Sequence, residues 1–389
     1  MRRAGRGVLL YRRMRIVFVG GGSGGHFYPL IAVAEAMLAK ARDEKRVTPD
    51  LYYMGPDVYD EGVLFNSGIS YVACPAGKMR RYTSVKNVTD LFVTFWGILV
   101  ALWKLFVIYP DVIFSKGGYT SVPVVIAGWL LRIPIVIHES DARPGRANVL
   151  GGKLATYIAI TYETTAHFFD ERKVALTGIP IRRELLLPPP TDARQTLGLT
   201  SEKPLLFVTG GSSGAERIND VIIGALNDLL PSYEIVHQTG QVAEHVVLDT
   251  AKALIHDAAH LAQYHVRGFL DARSMHAALS AADLIISRAG STTIYEVALH
   301  AKPAILVPIP EEISHDQRTN AYAYARTGAA EVMEEKNLSP HLLVSEITRI
   351  MGNPEVQNHM IESSRTFGAR DAAERIADAL VTIGFSHGS

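Results

Sequence analysis

Two segments of the sequence, half a chain apart, repeat one order of elements: a short apolar strand, a glycine-rich turn and an amphipathic helix. In the first segment the strand candidate Arg15–Val19 leads into Gly20-Gly-Gly-Ser-Gly-Gly-His26. In the second segment 205–208 leads into Thr209-Gly-Gly-Ser-Ser-Gly-Ala215. Apolar residues at helical spacing follow each turn. This order is the repeating unit of a doubly wound parallel sheet, so the chain is predicted to be α/β with two Rossmann-like domains.

The length and further strand candidates also support two domains. A chain of 389 residues exceeds the size at which a single core keeps growing. A cluster of prolines predicts a boundary near 180–192. We therefore expect a disordered extension at 1–13, domains at 14–184 and 185–367, and a C-terminal helix at about 368–385 that packs back on the first domain. The further strand candidates are 51–54, 112–115, 134–138 and 157–161 in the first half and 234–238, 283–287 and 304–308 in the second.

Charge and cysteine content narrow the classes of function. The 39 basic and 39 acidic side chains cancel, so no overall field attracts nucleic acid and any anion site must be local. Cys74 is the single cysteine, which excludes an internal disulfide and agrees with a reducing cytosol. It also lacks the spacing of a zinc site. No two aspartates are separated by one residue, so the metal-chelating Asp-x-Asp of many sugar-nucleotide enzymes is absent from the sequence. We therefore expect no metal and no cofactor.

The two glycine turns are candidate phosphate sites. Glycine after a strand lets backbone amides approach a phosphate, and the positive N-terminus of the following helix attracts the anion. The first turn matches the dinucleotide pattern G-x-G-x-x-G through Gly20, Gly22 and Gly25, and Asp57 could serve as the acid of a dehydrogenase. A dehydrogenase needs one such cradle, whereas a donor and a phosphate-bearing acceptor need two. Simple tight turns are the structural alternative.

Polar residues near the same strand ends are candidates for sugar chemistry. His26 could take a proton from a sugar hydroxyl near neutral pH, or it could only hydrogen-bond locally at the helix start. Glu296 could accept both hydroxyls of a ribose, or it could close a capping box with Thr293. Gln317 could bind sugar hydroxyls, or it could belong to a solvated loop. The cations that could meet the charge of a departing phosphate are Arg182 and Arg288.

One segment combines a basic cluster with a long apolar run. The run Leu91–Tyr109 approaches the length of a transmembrane span. The strand candidates on either side, 51–54 and 112–115, should belong to one sheet, which a single crossing would divide between the two sides of a bilayer. A helix packed on its own sheet would explain part of the run. The surplus of aromatic residues favours peripheral contact with an anionic membrane surface. The predicted contacts are Lys78, Arg80, Arg81, Phe92, Trp96 and Trp103.

A set of motifs extends over nearly the whole chain from Met14. It comprises Gly20–His26, Gly117–Tyr119, His138-Glu139, Gly210–Ala215, Ser287–Glu296, Gln317 and Asn320-Ala321. In order and spacing these motifs resemble those of the MurG family, the UDP-N-acetylglucosamine–N-acetylmuramyl-(pentapeptide) pyrophosphoryl-undecaprenol N-acetylglucosamine transferases. The resemblance implies a GT-B fold, with two Rossmann-like domains facing each other across a cleft.

The resemblance also implies a reaction and a location. N-acetylglucosamine would pass from UDP-N-acetylglucosamine to the muramyl 4-hydroxyl of the undecaprenyl-diphosphate-linked muramoyl-pentapeptide acceptor (lipid I), with inversion and without metal. The enzyme would be peripheral at the cytoplasmic face of the cell membrane. His26 would be the general base. The acceptor would be bound by Gly21, Gly22, His26 and Tyr119, and the donor by Ser23, Gly24, Gly25, Asp141, Arg182, Ser212, Leu270, Ser291, Thr292, Thr293, Glu296 and Gln317.

Individual roles follow from the same resemblance. Arg182 and Ser212 would meet the donor phosphates, Glu296 the ribose and Gln317 the sugar hydroxyls. The sequence departs from the family pattern where the usual His-Glu-Gln-Asn run reads His138-Glu-Ser-Asp141 and where a common glutamine is Ser213. An aspartate beside diphosphates would repel them unless a neighbouring cation offsets it; the candidates are Arg143 and Arg146.

Three other functions are compatible with the sequence. A UDP-N-acetylglucosamine 2-epimerase has the same fold and no lipid acceptor. A glycolipid-forming transferase that uses diacylglycerol would share the membrane face, but it would not need the first diphosphate turn. A non-catalytic donor-binding protein would be consistent with Asp141.

Overall fold

The structure, a computed structural model, describes residues 13–22, 24–78, 86–199, 201–211, 214–312 and 315–387. Within these residues the chain divides into two compact units. The first comprises 13–140, 144–182 and 371–387, and the second comprises 141–143 and 183–370. The extension expected at 1–13 lies outside the described residues except for Arg13, whose guanidinium lies 3.3 Å from the Asp50 carboxylate.

Each unit is built on a parallel sheet. The strands of the first are β1 (Arg15–Gly20), β2 (Asp50–Gly55), β3 (Ser70–Ala73), β4 (Val112–Gly117), β5 (Ile135–Glu139), β6 (Tyr157–Ile160) and β7 (Val174–Leu176). Those of the second are β8 (Leu205–Thr209), β9 (Glu234–Gln238), β10 (Tyr264–Arg267), β11 (Leu284–Ser287), β12 (Ala304–Leu306) and β13 (Ala330–Val332). The strand orders are β3-β2-β1-β4-β5-β6-β7 and β10-β9-β8-β11-β12-β13. The predicted α/β class with two Rossmann-like domains is confirmed.

Helices connect the strands. They are α1 (Gly24–Asp43), α2 (Glu61–Asn66), α3 (Lys86–Ile108), α4 (Val122–Leu130), α5 (Arg146–Leu154), α6 (Arg183–Leu186), α7 (Ala193–Leu197), α8 (Glu216–Leu229), α9 (Glu244–Leu254), α10 (Ala258–Leu261), α11 (Ala272–Ala281), α12 (Ser291–Leu299), α13 (His315–Ala325), α14 (Pro340–Met351), α15 (Pro354–Phe367) and α16 (Ala372–His387). Short 3₁₀ turns lie at Tyr119–Ser121, Glu163–Phe168, Glu171–Lys173 and Glu335–Asn337.

The central strands are buried along their length, and the edge strands are not. β4 and β8 are buried at every residue. Parallel strands covered on both sides form continuous apolar runs, which is why the sequence predicts them. Every strand candidate is confirmed to within two residues. The strands that the sequence did not predict are β3, β7, β10 and β13, which are the edge strands of the two sheets and only three or four residues long.

The C-terminal helix α16 belongs to the first unit, although it follows the second in the chain. It packs against α1, where Ile376 and Leu380 join the core that contains Phe27 and Leu30. The ammonium of Lys40 on α1 pairs with the carboxylate of Asp378 on α16. The final helix therefore closes the core behind the first glycine turn.

Candidate functional site

The first glycine turn has a backbone that only glycine adopts readily. Gly20 and Gly22 have φ of +146° and +86°. The Tyr53 hydroxyl donates a 3.0 Å hydrogen bond to the Gly20 carbonyl, and a Cβ placed on Gly21 would lie 2.6 Å from that hydroxyl. Helix α1 begins at Gly24, so the amides at its start point towards the turn. The turn thus has the backbone of an anion cradle.

A further glycine turn lies against the first. β4 is the neighbour of β1, with Gly117 in register with Gly20, and Gly117 and Gly118 have φ of +87° and +77°. A Cβ on Gly118 would lie 3.3 Å from the Gly21 carbonyl oxygen and 3.7 Å from the His26 ring. His26 is half-buried at the junction of the two turns.

Tyr119 borders the same place. A Cβ on Gly22 would lie 3.4 Å from its ring, and the Lys78 ammonium lies 5.9 Å from the ring centre. The structure therefore brings together the residues expected to bind the acceptor, which are Gly21, Gly22, His26 and Tyr119. The strand–turn–helix pattern of the sequence predicted only the first of these two turns. The second turn, Gly117–Tyr119, was identified only as one of the motifs of the family resemblance.

Beneath these turns lies a buried polar layer. The ammonium of Lys116, whose residue is 3% exposed, donates to the Ser140 hydroxyl. Burial, with the neighbouring charge of Lys116, holds the pKa of His138 well below its ordinary value, so this histidine is neutral. The Glu139 carboxylate accepts hydrogen bonds from the Gly145 amide at 3.1 Å and the Asn148 side chain at 2.9 Å. Glu139 thus braces the turn between β5 and α5.

The two candidate cations have different surroundings. The Arg182 guanidinium carbon lies 4.3 Å from the centre of the Tyr28 ring on α1, in the first unit. The Arg288 guanidinium lies 2.5 Å from the Glu335 carboxylate and donates to the Val307 carbonyl at 3.2 Å. Arg288 is therefore committed to bracing the second sheet, and Arg182 is the better candidate for an anion.

The glycine turn of the second unit is also specific for glycine. Gly211 and Gly214 have φ of +85° and +75°, and the Gly214 amide donates to the Gly211 carbonyl at 3.0 Å. A Cβ on Gly214 would lie 2.1 Å from the Thr239 carbonyl oxygen. Helix α8 starts immediately afterwards at Glu216. A phosphate cradle and a simple tight turn both use glycine at positive φ, so phosphate binding at these two turns stays a prediction.

The strand β11 leads into α12 through a similar turn. α12 begins at Ser291 with Gly290 as its N-cap, so Ser291, Thr292 and Thr293 form its first turn. The capping-box interpretation of Thr293 and Glu296 is wrong, because Thr293 is already inside the helix and Glu296 lies in its second turn. The half-buried Glu296 is thus not explained as a cap.

Leu270 lies at the same edge of the second sheet, in the loop after β10. It is buried and immediately precedes Asp271, the N-cap of α11, whose carboxylate accepts from the Ser274 amide at 2.8 Å. The carboxyl ends of neighbouring parallel strands meet at one edge, so this loop, the glycine turn after β8 and the start of α12 share that edge.

Gln317 lies on a helix, and the solvated-loop interpretation is wrong. It is part of α13 and half-buried. Its carbonyl oxygen accepts from the amides of Ala289 and Ile309, both at 3.2 Å, and so joins the turns after β11 and β12. The N–H₂ group of the same amide is the part that can donate to a ligand.

Asn320, one helical turn further, is fully buried and holds Asp141 in place. Its side-chain oxygen accepts from the Ala142 amide and its nitrogen donates to the Asp141 carboxylate, both at 2.8 Å. The side chains of Arg143 and Arg146, the cations suggested to offset the charge of Asp141, are exposed. The neutral Asn320 amide hydrogen-bonds the Asp141 carboxylate but does not offset its charge. The sequence analysis identified Asn320 only as part of the family motif Asn320-Ala321 and predicted no role for it.

Helix α3 carries the predicted membrane segment. Val88–Ile108 is long and apolar enough to span a membrane, but only 17% of its most apolar stretch is buried. Phe92, Trp96 and Trp103 are 70%, 60% and 68% exposed. On the inner side, a Cβ on Gly97 would lie 2.0 Å from the Pro75 carbonyl oxygen, so the helix packs closely there. The strands β2 and β4 lie in one sheet as predicted, so α3 is a crossover within that sheet.

Some predicted site residues lie outside the described residues. They are Ser23 in the first turn, Ser212 in the second, and Arg80 and Arg81 in the basic cluster.

Two family models and a named relative match most of the chain. The model of the glycosyltransferase family 28 N-terminal domain matches residues 16–160, and that of the family 28 C-terminal domain matches residues 205–376. A Bacillus thuringiensis protein named UDP-N-acetylglucosamine–N-acetylmuramyl-(pentapeptide) pyrophosphoryl-undecaprenol N-acetylglucosamine transferase 3 is 34% identical over 368 residues, covering 93% of this chain and 97% of its own.

Two solved structures have a similar fold. The crystal structure of Acinetobacter baumannii MurG has a TM-score of 0.72 at 23% identity and covers 95% of this chain and 100% of its own. A putative UDP-N-acetylglucosamine 2-epimerase from Listeria monocytogenes has a TM-score of 0.68 at 14% identity and covers 96% of this chain and 97% of its own. At these identities the two structures show the fold alone.

Proposed function

Because this chain belongs to glycosyltransferase family 28, and within it to the UDP-N-acetylglucosamine–N-acetylmuramyl-(pentapeptide) pyrophosphoryl-undecaprenol N-acetylglucosamine transferases, we propose that it transfers N-acetylglucosamine from UDP-N-acetylglucosamine to lipid I. The product is lipid II, the disaccharide-linked precursor of peptidoglycan. The observation that carries the proposal is the similarity to a transferase of this name along 93% of the chain. The glycine turns at the carboxyl edges of both sheets support it, because donor and acceptor each contain a diphosphate.

The second unit is proposed to bind the donor. The backbone amides of the turn after β8, with Ser212, and those of Ser291–Thr293 would donate to the phosphates and line the uracil, next to Leu270. Glu296 would accept the two ribose hydroxyls, since one carboxylate can accept from both. The Gln317 N–H₂ group would donate to the sugar, and Asp141 would complete this set. By the resemblance, Ser23, Gly24, Gly25 and Arg182 are further candidates for donor binding, and they belong to the first unit.

The first unit is proposed to bind the acceptor. The adjoining turns that contain Gly21, Gly22 and Tyr119 would hold its diphosphate. His26 would take the proton of the muramyl 4-hydroxyl as the hydroxyl oxygen bonds to the anomeric carbon of N-acetylglucosamine. The bond from that carbon to the donor diphosphate breaks in the same step, and UDP leaves with the electron pair. One displacement inverts the anomeric configuration, and amides and Arg182 would meet the charge without a metal.

A transfer assay tests this function. Labelled N-acetylglucosamine is offered as the UDP donor to a short-chain lipid I analogue, with a chelator of divalent cations present. We expect labelled disaccharide product at a rate that the chelator does not change. The proposal fails if the protein converts UDP-N-acetylglucosamine to its 2-epimer without acceptor, or if diacylglycerol replaces the lipid I analogue as acceptor.

We also propose that α3 rests on the cytoplasmic face of the cell membrane. Its exposed aromatic side chains form an apolar surface of a size that soluble monomers rarely present to water. In the sequence, Lys78, Arg80 and Arg81 precede this helix, and their positive charge suits an anionic lipid surface.

Replacing both Trp96 and Trp103 by serine should weaken binding to vesicles of phosphatidylglycerol and phosphatidylcholine by at least about tenfold, because two large apolar side chains no longer leave water. Co-sedimentation of protein with vesicles measures the effect. Phe65→Ser is the matched control, since Phe65 is 83% exposed in the same unit but lies on α2. Equal loss of binding in control and double variant would contradict the assignment of α3.

A further inference from the structure

The start of α1 contains an aromatic residue to which the proposed function assigns no role. Tyr28 follows His26 by two positions, and its ring lies under the Arg182 guanidinium at 4.3 Å. Within the described part of the chain, the Arg182 N–H groups donate no hydrogen bond and the guanidinium forms no ion pair. A guanidinium stacked on a ring is held in one plane while the N–H donors at its edge stay available. Arg182 is therefore oriented by Tyr28 and keeps its donors for an anion.

Tyr28 is itself fixed by its neighbours. Phe27 and Tyr59 meet its ring edge-on, with centroids 5.6 and 5.8 Å away and interplanar angles of 70° and 82°. Its hydroxyl lies in the field of the Asp60 carboxylate, which raises the pKa of Tyr28. Asp60 in turn caps α2 by accepting from the Val63 amide at 3.0 Å. These contacts fix the orientation of the Tyr28 ring, and the ring in turn orients the Arg182 guanidinium that lies on it.

The electrostatics give Tyr28 a positioning role rather than a chemical one. Burial raises the pKa of Tyr28 above its ordinary value; the charge of Arg182 lowers it in part, and Asp60 raises it further. The phenol therefore stays protonated at physiological pH and transfers no proton. What the ring offers to Arg182 is its π face, because the guanidinium carbon lies over the ring centre.

We propose that Tyr28 is a positioning residue, whose ring holds the Arg182 guanidinium in the orientation that contacts the diphosphate of the UDP-sugar donor. The inference rests on the proposed function, in which Arg182 meets the donor phosphates. It adds Tyr28 as the residue that orients Arg182. It also adds Tyr59 and Asp60 as the neighbours that orient Tyr28.

Calorimetric binding of UDP to the purified full chain tests the inference. Tyr28→Leu removes the π face, and we expect it to weaken UDP binding and raise the donor KM about tenfold, with kcat and the acceptor KM within about twofold. Tyr28→Phe keeps the face and should stay within about threefold of wild type. Inhibition of transfer by uridine, which lacks the diphosphate, should be the same in Tyr28→Leu and wild type.

A double-mutant cycle separates positioning from a general structural effect. Arg182→Ala and the double variant Tyr28→Leu/Arg182→Ala should bind UDP equally, because the ring acts only through the guanidinium. Tyr71→Leu is the matched control, a tyrosine stacked on Tyr53 in the same unit, and should leave UDP affinity unchanged.

Three results would overturn the inference: wild-type UDP affinity in Tyr28→Leu, an effect on the acceptor KM alone, or a further loss from Tyr28→Leu in the Arg182→Ala background. These three results bear on Tyr28 only when the wild-type protein itself transfers N-acetylglucosamine. A wild-type protein without transfer would refute the proposed function itself.

Discussion

Replacing His26 by alanine should lower kcat for transfer to a lipid I analogue by about 10²- to 10⁴-fold, the range of a lost general base. The ring lies at the junction of the two adjoining glycine turns of the first unit, where a Cβ on Gly118 would lie 3.7 Å from it. The donor KM should change by less than about threefold, because the proton is taken from the acceptor. Steady-state kinetics with each substrate varied in turn measures both quantities.

The same kinetic measurement on a second histidine variant separates loss of the base from loss of any histidine. His341→Ala is the matched control, since His341 is exposed on α14 in the second unit. A His26→Ala protein whose kcat stays within threefold of wild type would show that another group accepts the proton.

Replacing Gly214 by alanine should raise the donor KM at least about tenfold, equivalent to about 1.4 kcal/mol of lost binding. Gly214 has φ of +75°, which costs an alanine about 1–2 kcal/mol. The added Cβ would also lie 2.1 Å from the Thr239 carbonyl oxygen, so the turn must move. A displaced turn no longer directs its amides at the donor phosphates. Steady-state kinetics with varied UDP-N-acetylglucosamine measures the effect.

Gly68 offers a matched control for backbone strain alone. It has φ of +65°, and a Cβ placed on it would meet no atom within 4 Å. Gly68→Ala should therefore lower the thermal unfolding temperature slightly and leave the donor KM unchanged. If both variants lose thermal stability and neither changes the donor KM, the turn after β8 is not the donor phosphate site.

The sequence predicted the buried strands well and the edge strands not at all. β4 and β8 are covered on both sides, so every residue is selected for burial and the run is visible without a structure. β3 and β7 lie at the sheet edges, are three or four residues long and are mostly exposed, so neither apolar runs nor strict alternation indicates them. Pairing with a neighbouring strand, which is non-local in sequence, defines these elements.

The sequence also predicted some features of the candidate site and missed others. Local patterns indicated the glycine turns, but the roles of polar residues depended on where helices begin. Glu296 looked like a capping residue until α12 was seen to start at Ser291. Gln317 looked like a loop residue because the apolar periodicity of α13 is weak, yet it joins two turns of the second sheet.

What the sequence determined by itself is therefore local: two strand–turn–helix units, turns in which positive φ requires glycine, and an apolar segment too long for an ordinary core helix. These features depend on residues close in the chain, whose backbone and burial requirements appear directly as residue types. The tertiary structure decided which distant residues meet, such as Gly118 beside His26 and Arg182 over Tyr28. Such contacts follow from strand order and packing, because residues about 90 to 150 positions apart become neighbours only when the sheet assembles.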